Sequence, residues 1–282
     1  MNGTLIVNAD DFGLTPGVSH GIVRGYREGV ITSTSMLAIA PAFDIAVALA
    51  SSGDTDDLGV GAHLALVGED PPLLGAKEIP SLVDARGNLA ASWRVFLRRA
   101  AVGAIDEADI RRELSAQLDR LAELGRPLTH IDTHQHLHLW PVVRNVALPL
   151  AVQSGIPAVR VPWSRSHGPI GVVVRRLARA LRRQADALGL LCPGAFLGLD
   201  EAGSLDETAL LLAVGTLGAH RGDSVEIGCH PGEAVDPDRS RYAWDYRWEA
   251  ELAGLTSHGV RHAIAKTGFE LGNFATLRRC IP

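Results

Sequence analysis

Thr4-Leu5-Ile6-Val7-Asn8-Ala9-Asp10-Asp11-Phe12-Gly13 sets the frame for the whole chain. Thr4–Asn8 is a short apolar run of the kind buried on both faces in a parallel sheet. It ends in two adjacent carboxylates, Asp10 and Asp11. Aspartate favours turns and helix caps, so a plain turn is one reading of the pair. The other is that the pair marks a site, because ligands in parallel α/β folds bind at the carboxyl ends of the strands. Thr15-Pro16 then opens a helix that runs to about Glu28, with Thr15 as N-cap, Pro16 at the first position and Gly29 as the stop. His20, inside that helix, reads as a structural or surface residue.

Strand and helix alternate from there on. Val30–Ala38 is a second strand. Its Thr32, Ser33, Thr34 and Ser35 either line a site with hydroxyls or simply suit a strand. Pro41–Ser51 is a helix, and Leu58–Leu66 a third strand whose one ionisable residue is His63. Val67–Leu89 is long, irregular and rich in proline and glycine, which reads as an insertion serving as a substrate lid. Ala90–Val102 is helical. Asp106 caps a helix reaching Leu124, with Ile110, Leu114, Leu118 and Leu121 as its core stripe. A histidine-rich fourth strand comes next, then a helix at Val142–Ser154 and a fifth strand at Ala158–Trp163 carrying Arg160. His167–Leu188 is a basic helix and Leu190–Leu199 a sixth strand or extended segment. Leu205–Ala219 is a helix, Ser224–Gly228 the seventh strand, Tyr242–Ser257 a helix and His262–Lys266 a last short strand. This order argues for one α/β domain over residues 1–282: a distorted, TIM-barrel-like (β/α) barrel, parallel strands inside and helices outside.

Composition excludes several classes. Hydrophobic residues at 46% against 21% charged ones build a core rather than a disordered chain. A net charge of -5 gives no reason to expect nucleic acid. Cys192, Cys229 and Cys280 are too scattered for a disulfide framework and suit a reducing cytoplasm. No signal peptide is visible, and no apolar stretch reaches the roughly 20 residues that cross a bilayer. Nothing in the pattern fixes or forbids a homo-oligomer. Arg175, Arg176, Arg179, Arg182 and Arg183 read as a solvated face, with contact to an anionic surface or lipid-linked substrate as the alternative.

The chemistry concentrates in His130-Ile131-Asp132-Thr133-His134-Gln135-His136-Leu137-His138, which holds four of the chain's 11 histidines. Residues two apart on a strand share a face, so His130, Asp132, His134, His136 and His138 are expected on one side. That much polarity is costly to bury unless something binds it, and imidazole is the commonest side-chain metal ligand. Asp10, Asp11, His63, His134 and His230 come from four different strands, all near carboxyl ends, which converge at one mouth of a barrel. Two imidazoles and a carboxylate leave coordination positions open, as in catalytic metal sites. One of the adjacent aspartates can bind the ion while its neighbour takes a proton from water, and His230 can protonate a leaving group.

The motifs NADDFG (Asn8–Gly13), TST (Thr32–Thr34), GAHL (Gly61–Leu64), THIDTHQHLH (Thr129–His138) and CHPG (Cys229–Gly232) resemble those of the YdjC-like carbohydrate deacetylases, in family order and over nearly the whole chain. Tyr242, Arg247, Glu251 and Leu252 add a weaker match. The resemblance implies hydrolysis of an N-acetyl group from an N-acetylglucosamine-type amino sugar, in an oligosaccharide or glycoside, with one divalent ion, Mg²⁺ or Zn²⁺. It implies Asp10 as general base, Asp11, His63 and His134 as metal ligands, and His230 as the acid. His130, Asp132, His136 and His138 then become neighbours that orient ligands or face substrate, and Arg160 holds substrate or orients Asp10. Two other readings stay open: a metal-dependent phosphoesterase, which usually needs two ions about 3.5–4 Å apart, and a non-catalytic sugar-binding barrel.

Overall fold

The computed structural model describes residues 3–220 and 222–277; Cys280 lies outside them. Its centre is β1 (Thr4–Phe12), buried along almost all its length. β2 (Ser33–Met36) pairs on one side of it and β6 (Ser224–Cys229) on the other. With β3 (Gly59–Leu64), β4 (Ile131–Thr133) and β5 (Ala195–Leu197), the strand order is β4-β3-β2-β1-β6-β5, every pair parallel. The short β7 (Glu270–Leu271) adds to the start of β1. Beyond β4 the ladder continues as single bridges, Ile131 to Val159 and Ala158 to Leu191. Leu191 sits on the same extended stretch that becomes β5, so this one stretch reaches both margins of the curled sheet. The result is a distorted (β/α) barrel.

The helices are α1 (Pro16–Glu28), α2 (Phe43–Ala50), α3 (Trp93–Ala101), α4 (Glu107–Leu121), α5 (Pro141–Gln153), α6 (Pro169–Leu188), α7 (Glu207–Thr216), α8 (Trp248–Thr256) and α9 (His258–Thr267). Their punctuation follows local chemistry. Thr15 Oγ1 accepts from the Val18 amide ahead of Pro16 in α1, and Gly189 ends α6 in the left-handed region. No helix among the described residues is long and apolar enough to cross a membrane.

Three expectations need correction. The fifth strand is no ladder: Pro157 precedes it and Pro162 lies within it, and of its residues Ala158 and Val159 alone bridge. Residues 242–247 are not helical, and α8 starts only at Trp248. Their aromatics fall at 242, 244, 246 and 248, a period of two that belongs to extended chain. His262–Lys266 lies inside α9, which Ser257 caps through the Gly259 amide and Gly268 stops in the left-handed region. The closing strand is Glu270–Leu271 instead.

The 67–89 insertion is tied down against α4. Buried Glu113 accepts from the Leu73 and Leu74 amides, and Asp109 accepts from Ser81, while Ile79 and Leu82 are fully buried. The rim of the main cavity on this side is built by Ser92, Trp93 and Arg94, which follow the insertion.

Candidate active site

Adjacent residues on a strand normally point to opposite faces. Asp10 and Asp11 escape this because β1 carries one extra residue between its pairings Ala9–Thr34 and Phe12–Met36. Asp11 takes a left-handed φ of 66°, rare for a residue with a side chain and better tolerated by aspartate than by most. The bulge thereby presents both carboxylates to the same cavity. The histidine stretch does the same by a different route. β4 ends at Thr133, and Gln135 and His136 turn left-handed at φ 53° each. The strand alternation stops there, so the four histidines do not share one face.

Register brings the rest together. His63 on β3 lies opposite Asp132 on β4, and His63 Nδ1 hydrogen-bonds Asp132 Oδ1 at 2.8 Å. That bond fixes the proton on Nδ1 and leaves Nε2 facing Asp11 Oδ1 at 3.5 Å. His134 Nδ1 faces the same oxygen at 3.2 Å. Burial pushes Asp11 up, but the two imidazoles outweigh it and hold the carboxyl well below its usual range. Burial likewise opposes charge on His63, yet Asp132 and Asp11 lift it to about 10.

Asp11, His63 and His134 fit a divalent cation. Their ligand atoms all lie within 4.8 Å of one another. Donors about 2.0–2.2 Å from one ion stand roughly 3 Å apart, close to the separations seen here. Asp132 behind His63 supplies the carboxylate that orients such a ligand. A second grouping, Asp10 with His63 and Asp132, shares His63 with the first. Asp132 is already committed to His63 and to the Arg160 guanidinium, so this grouping is no independent second site.

Arg160 is completely buried and cannot reach a substrate; it organises carboxylates instead. Its Nη1 and Nη2 donate to both oxygens of Asp10 at 2.6 and 2.7 Å, and its Nε donates to Glu226 at 2.6 Å. Asn8 Nδ2 adds a 2.8 Å bond to Asp10 Oδ1. Burial raises the Asp10 pKa, but Arg160 overrides it and the net shift is downward. Glu226 goes the other way. Burial outweighs Arg160 and pushes it up to about 8, and its Oε2 has no partner.

His230 follows β6 at the mouth, with Nε2 3.8 Å from Asp10 Oδ2. Its backbone amide donates to buried Glu251 at 2.6 Å, and its ring meets Tyr246 edge-on at 4.9 Å. The other histidines differ. His130 bonds Ser35 and Thr129 and stacks on Phe274; His138 bonds Thr133 and the Arg160 carbonyl. Burial, against the pull of Asp132, holds them down at about 3 and about 4. Neither lines the cavity, whereas half-buried His136 does. The hydroxyls of β2 are buried and bonded: Thr34 donates to the Ala9 carbonyl, and Ser35 joins Asn8, His130 and Asp132. His20 is exposed.

Sequence reading missed Trp244, Tyr246, Trp93, Trp140 and Glu226. Trp244 stacks on His134 at 5.2 Å, and with Tyr246 it lines the cavity. The alternating aromatics were the available signal. Trp244 Nε1 also bonds Glu69, and Tyr242 bonds Asp70, so residues 242–246 are latched to the start of the 67–89 insertion.

The family described as YdjC-like protein matches residues 4–266. A chitooligosaccharide deacetylase of Escherichia fergusonii is 33% identical over 276 residues, covering 97% of this chain and 99% of that protein. A carbohydrate deacetylase of Brevibacillus brevis is 42% identical over 159 residues, 56% of this chain and 59% of that one. An Enterococcus faecalis protein, put forward for cellobiose-phosphate cleavage, has a solved structure that aligns over 99% of this chain and 100% of its own. Its TM-score is 0.81 at 27% identity.

Proposed function

The chain belongs to the YdjC-like family, and on that premise we propose that it is a carbohydrate N-deacetylase that depends on one divalent ion. Its substrate is an N-acetylglucosamine-type amino sugar, and its products are acetate and the free amine. The observation that carries this reading is the meeting of Asp11, His63 and His134 beside an Arg160-clamped Asp10 at the inner end of one cavity.

Asp11 Oδ1, His63 Nε2 and His134 Nδ1 would hold the ion; two imidazoles with one carboxylate suit Zn²⁺, Mn²⁺ or similar ions, and Mg²⁺ enters through the family resemblance. When bound, it polarises the acetyl carbonyl and makes water more acidic. Asp10, kept ionised by Arg160, takes the proton from the attacking water through Oδ2. His230 Nε2, beside that oxygen, delivers a proton to the departing nitrogen. Asp132 keeps His63 in the required tautomer, and Glu251 fixes the His230 backbone. Among the described residues Cys192 and Cys229 form no disulfide, which suits the reducing cytoplasm we assign as its setting.

A two-ion phosphoester mechanism finds less support, because Arg160 already occupies Asp132. The deciding experiment combines metal analysis of the purified protein with acetate release from N-acetylglucosaminides. One ion per chain and stoichiometric acetate are expected. Two ions with phosphate release and no acetate would replace this reading with the phosphoesterase one.

A further inference from the structure

The extended segment at residues 242–247 brings one more polar group to the reacting centre. Tyr246 lines the cavity of about 820 Å³ that also holds Asp10, Asp11, His63, His134 and His230. Its ring meets His230 edge-on at 4.9 Å and Trp244 at 5.5 Å, and Trp244 in turn stacks on His134 at 5.2 Å. Tyr246 therefore stands beside the proposed acid and, through Trp244, is joined to a metal ligand.

The ring is fixed by its surroundings. Gly203 lies directly behind it, in the left-handed region at φ 79°, and a methyl group on that residue would overlap the ring. The Arg247 amide donates to the Gly203 carbonyl at 2.7 Å, which ties the two segments together. Trp248 packs on a further side at 5.2 Å. A donor held in place before reaction stabilises developing charge without reorganising.

The hydroxyl is less committed than the ring. Among the described residues it has no hydrogen-bond partner, whereas Tyr242, four residues earlier, spends its own on Asp70. The carboxylates at the centre are served by other groups: Asp10 by Arg160 and Asn8, Asp11 by His63 and His134. Burial, with the charges of Asp11, Glu251 and Asp10, pushes the phenol above its usual range, so it keeps its proton. A neutral donor at a reacting centre, with no acceptor in the protein, is matched by an oxygen of the substrate.

We infer that Tyr246 is a further catalytic residue: its O–H donates to the acetyl carbonyl oxygen and stabilises the negative charge that this oxygen gains when water adds. The inference rests on the deacetylase reading. The proton stays on the phenol throughout. The water proton still goes to Asp10, and the departing nitrogen still takes one from His230. When the C–N bond breaks, the oxygen returns to a carboxyl group as part of acetate and the hydrogen bond weakens again.

Tyr246→Phe keeps the ring and its packing and removes only the donor. With methyl N-acetylglucosaminide and metal-loaded enzyme, kcat should fall about a hundredfold while KM stays within about twofold, the pattern of a contact made in the transition state. Other readouts do not depend on turnover. Metal content should match the wild type. In calorimetry the methylphosphonamidate of glucosamine, with tetrahedral anionic phosphorus in place of the acetyl carbon, should bind at least about tenfold more weakly, and glucosamine equally well. An unchanged kcat overturns the assignment and leaves the deacetylase reading standing. A raised KM at unchanged kcat also overturns it, and makes Tyr246 a binding group for a sugar hydroxyl. A fall in kcat with undiminished affinity for the phosphonamidate, or with loss of metal, overturns it in favour of a structural part. No acetate from the wild-type enzyme overturns both readings.

Discussion

His134 and His138 stand four residues apart in one short stretch and have opposite fates. His134 keeps Nδ1 directed at Asp11 beside the cavity, with its ring stacked on Trp244. His138 spends Nδ1 on Thr133 and Nε2 on the Arg160 carbonyl. The left-handed turn at Gln135 and His136 separates them. A histidine can serve as a ligand only where the fold directs a ring nitrogen at another donor beside a cavity; elsewhere it is a rigid hydrogen-bonding strut.

The sharpest way to break this comparison is to truncate both rings. His134→Ala should abolish ion binding and drop acetate release to background, measured by metal content and activity on the same preparation. Retention of a full equivalent of metal would remove His134 from the ligand set. Next in size is Asp10→Asn, which should keep the ion and lose at least about a hundredfold in kcat, the scale of a lost general base. Full activity in that variant would mean the proton goes elsewhere. His138→Ala belongs to the opposite class. It leaves the Arg160 carbonyl without its partner in a dry interior and the Thr133 hydroxyl with only the residue-138 backbone amide, so a loss of about 2 kcal/mol of stability is expected. Its metal content should stay at the wild-type level, and chemical denaturation with metal analysis separates the two effects.

The same contrast explains what the sequence could reveal. β1, the α1 cap, the α4 stripe and the β6 end were legible because their signals are local: an apolar run, Thr15-Pro16, four leucine-type residues at helical spacing. The convergence of Asp10, Asp11, His63, His134 and His230 was legible from strand ends alone, given a barrel. What each histidine does was not, because it depends on a bulge at Asp11 and a left-handed pair at Gln135 and His136, neither of which has a spacing signature. Arg160 was quoted at the end of a strand, but its triple engagement with Asp10, Asp132 and Glu226 exists only once three distant strands are in register. The 242–248 aromatics carried a period-two pattern that a helix-like composition around Leu252 obscured.

Glu226 gives the smallest effect and the finest distinction. It sits with His130 and His138 in the dry interior, where burial favours the neutral form of each group. Its carboxyl is pushed from 4.5 to about 8 although Arg160 donates to it. Between those two pH values the unfolded chain has released this proton and the folded chain still holds it. The folded state therefore binds more protons, so this group makes stability fall as pH rises from about 4.5 and level off above about 8. Glutamine has the same shape, can accept from Arg160 Nε and cannot ionise. Replacing Glu226 with glutamine should thus remove that slope: the melting temperature of the variant, relative to wild type, should climb steadily across the window, on top of a constant offset for an orphaned amide. Acetate release near neutral pH should change less than about tenfold, since glutamine preserves the contact that positions Arg160 against Asp10. Parallel melting curves at every pH would mean instead that Glu226 is ionised in the folded protein. Arg160 would then carry a third charged partner, and Asp10 would feel correspondingly less of its pull.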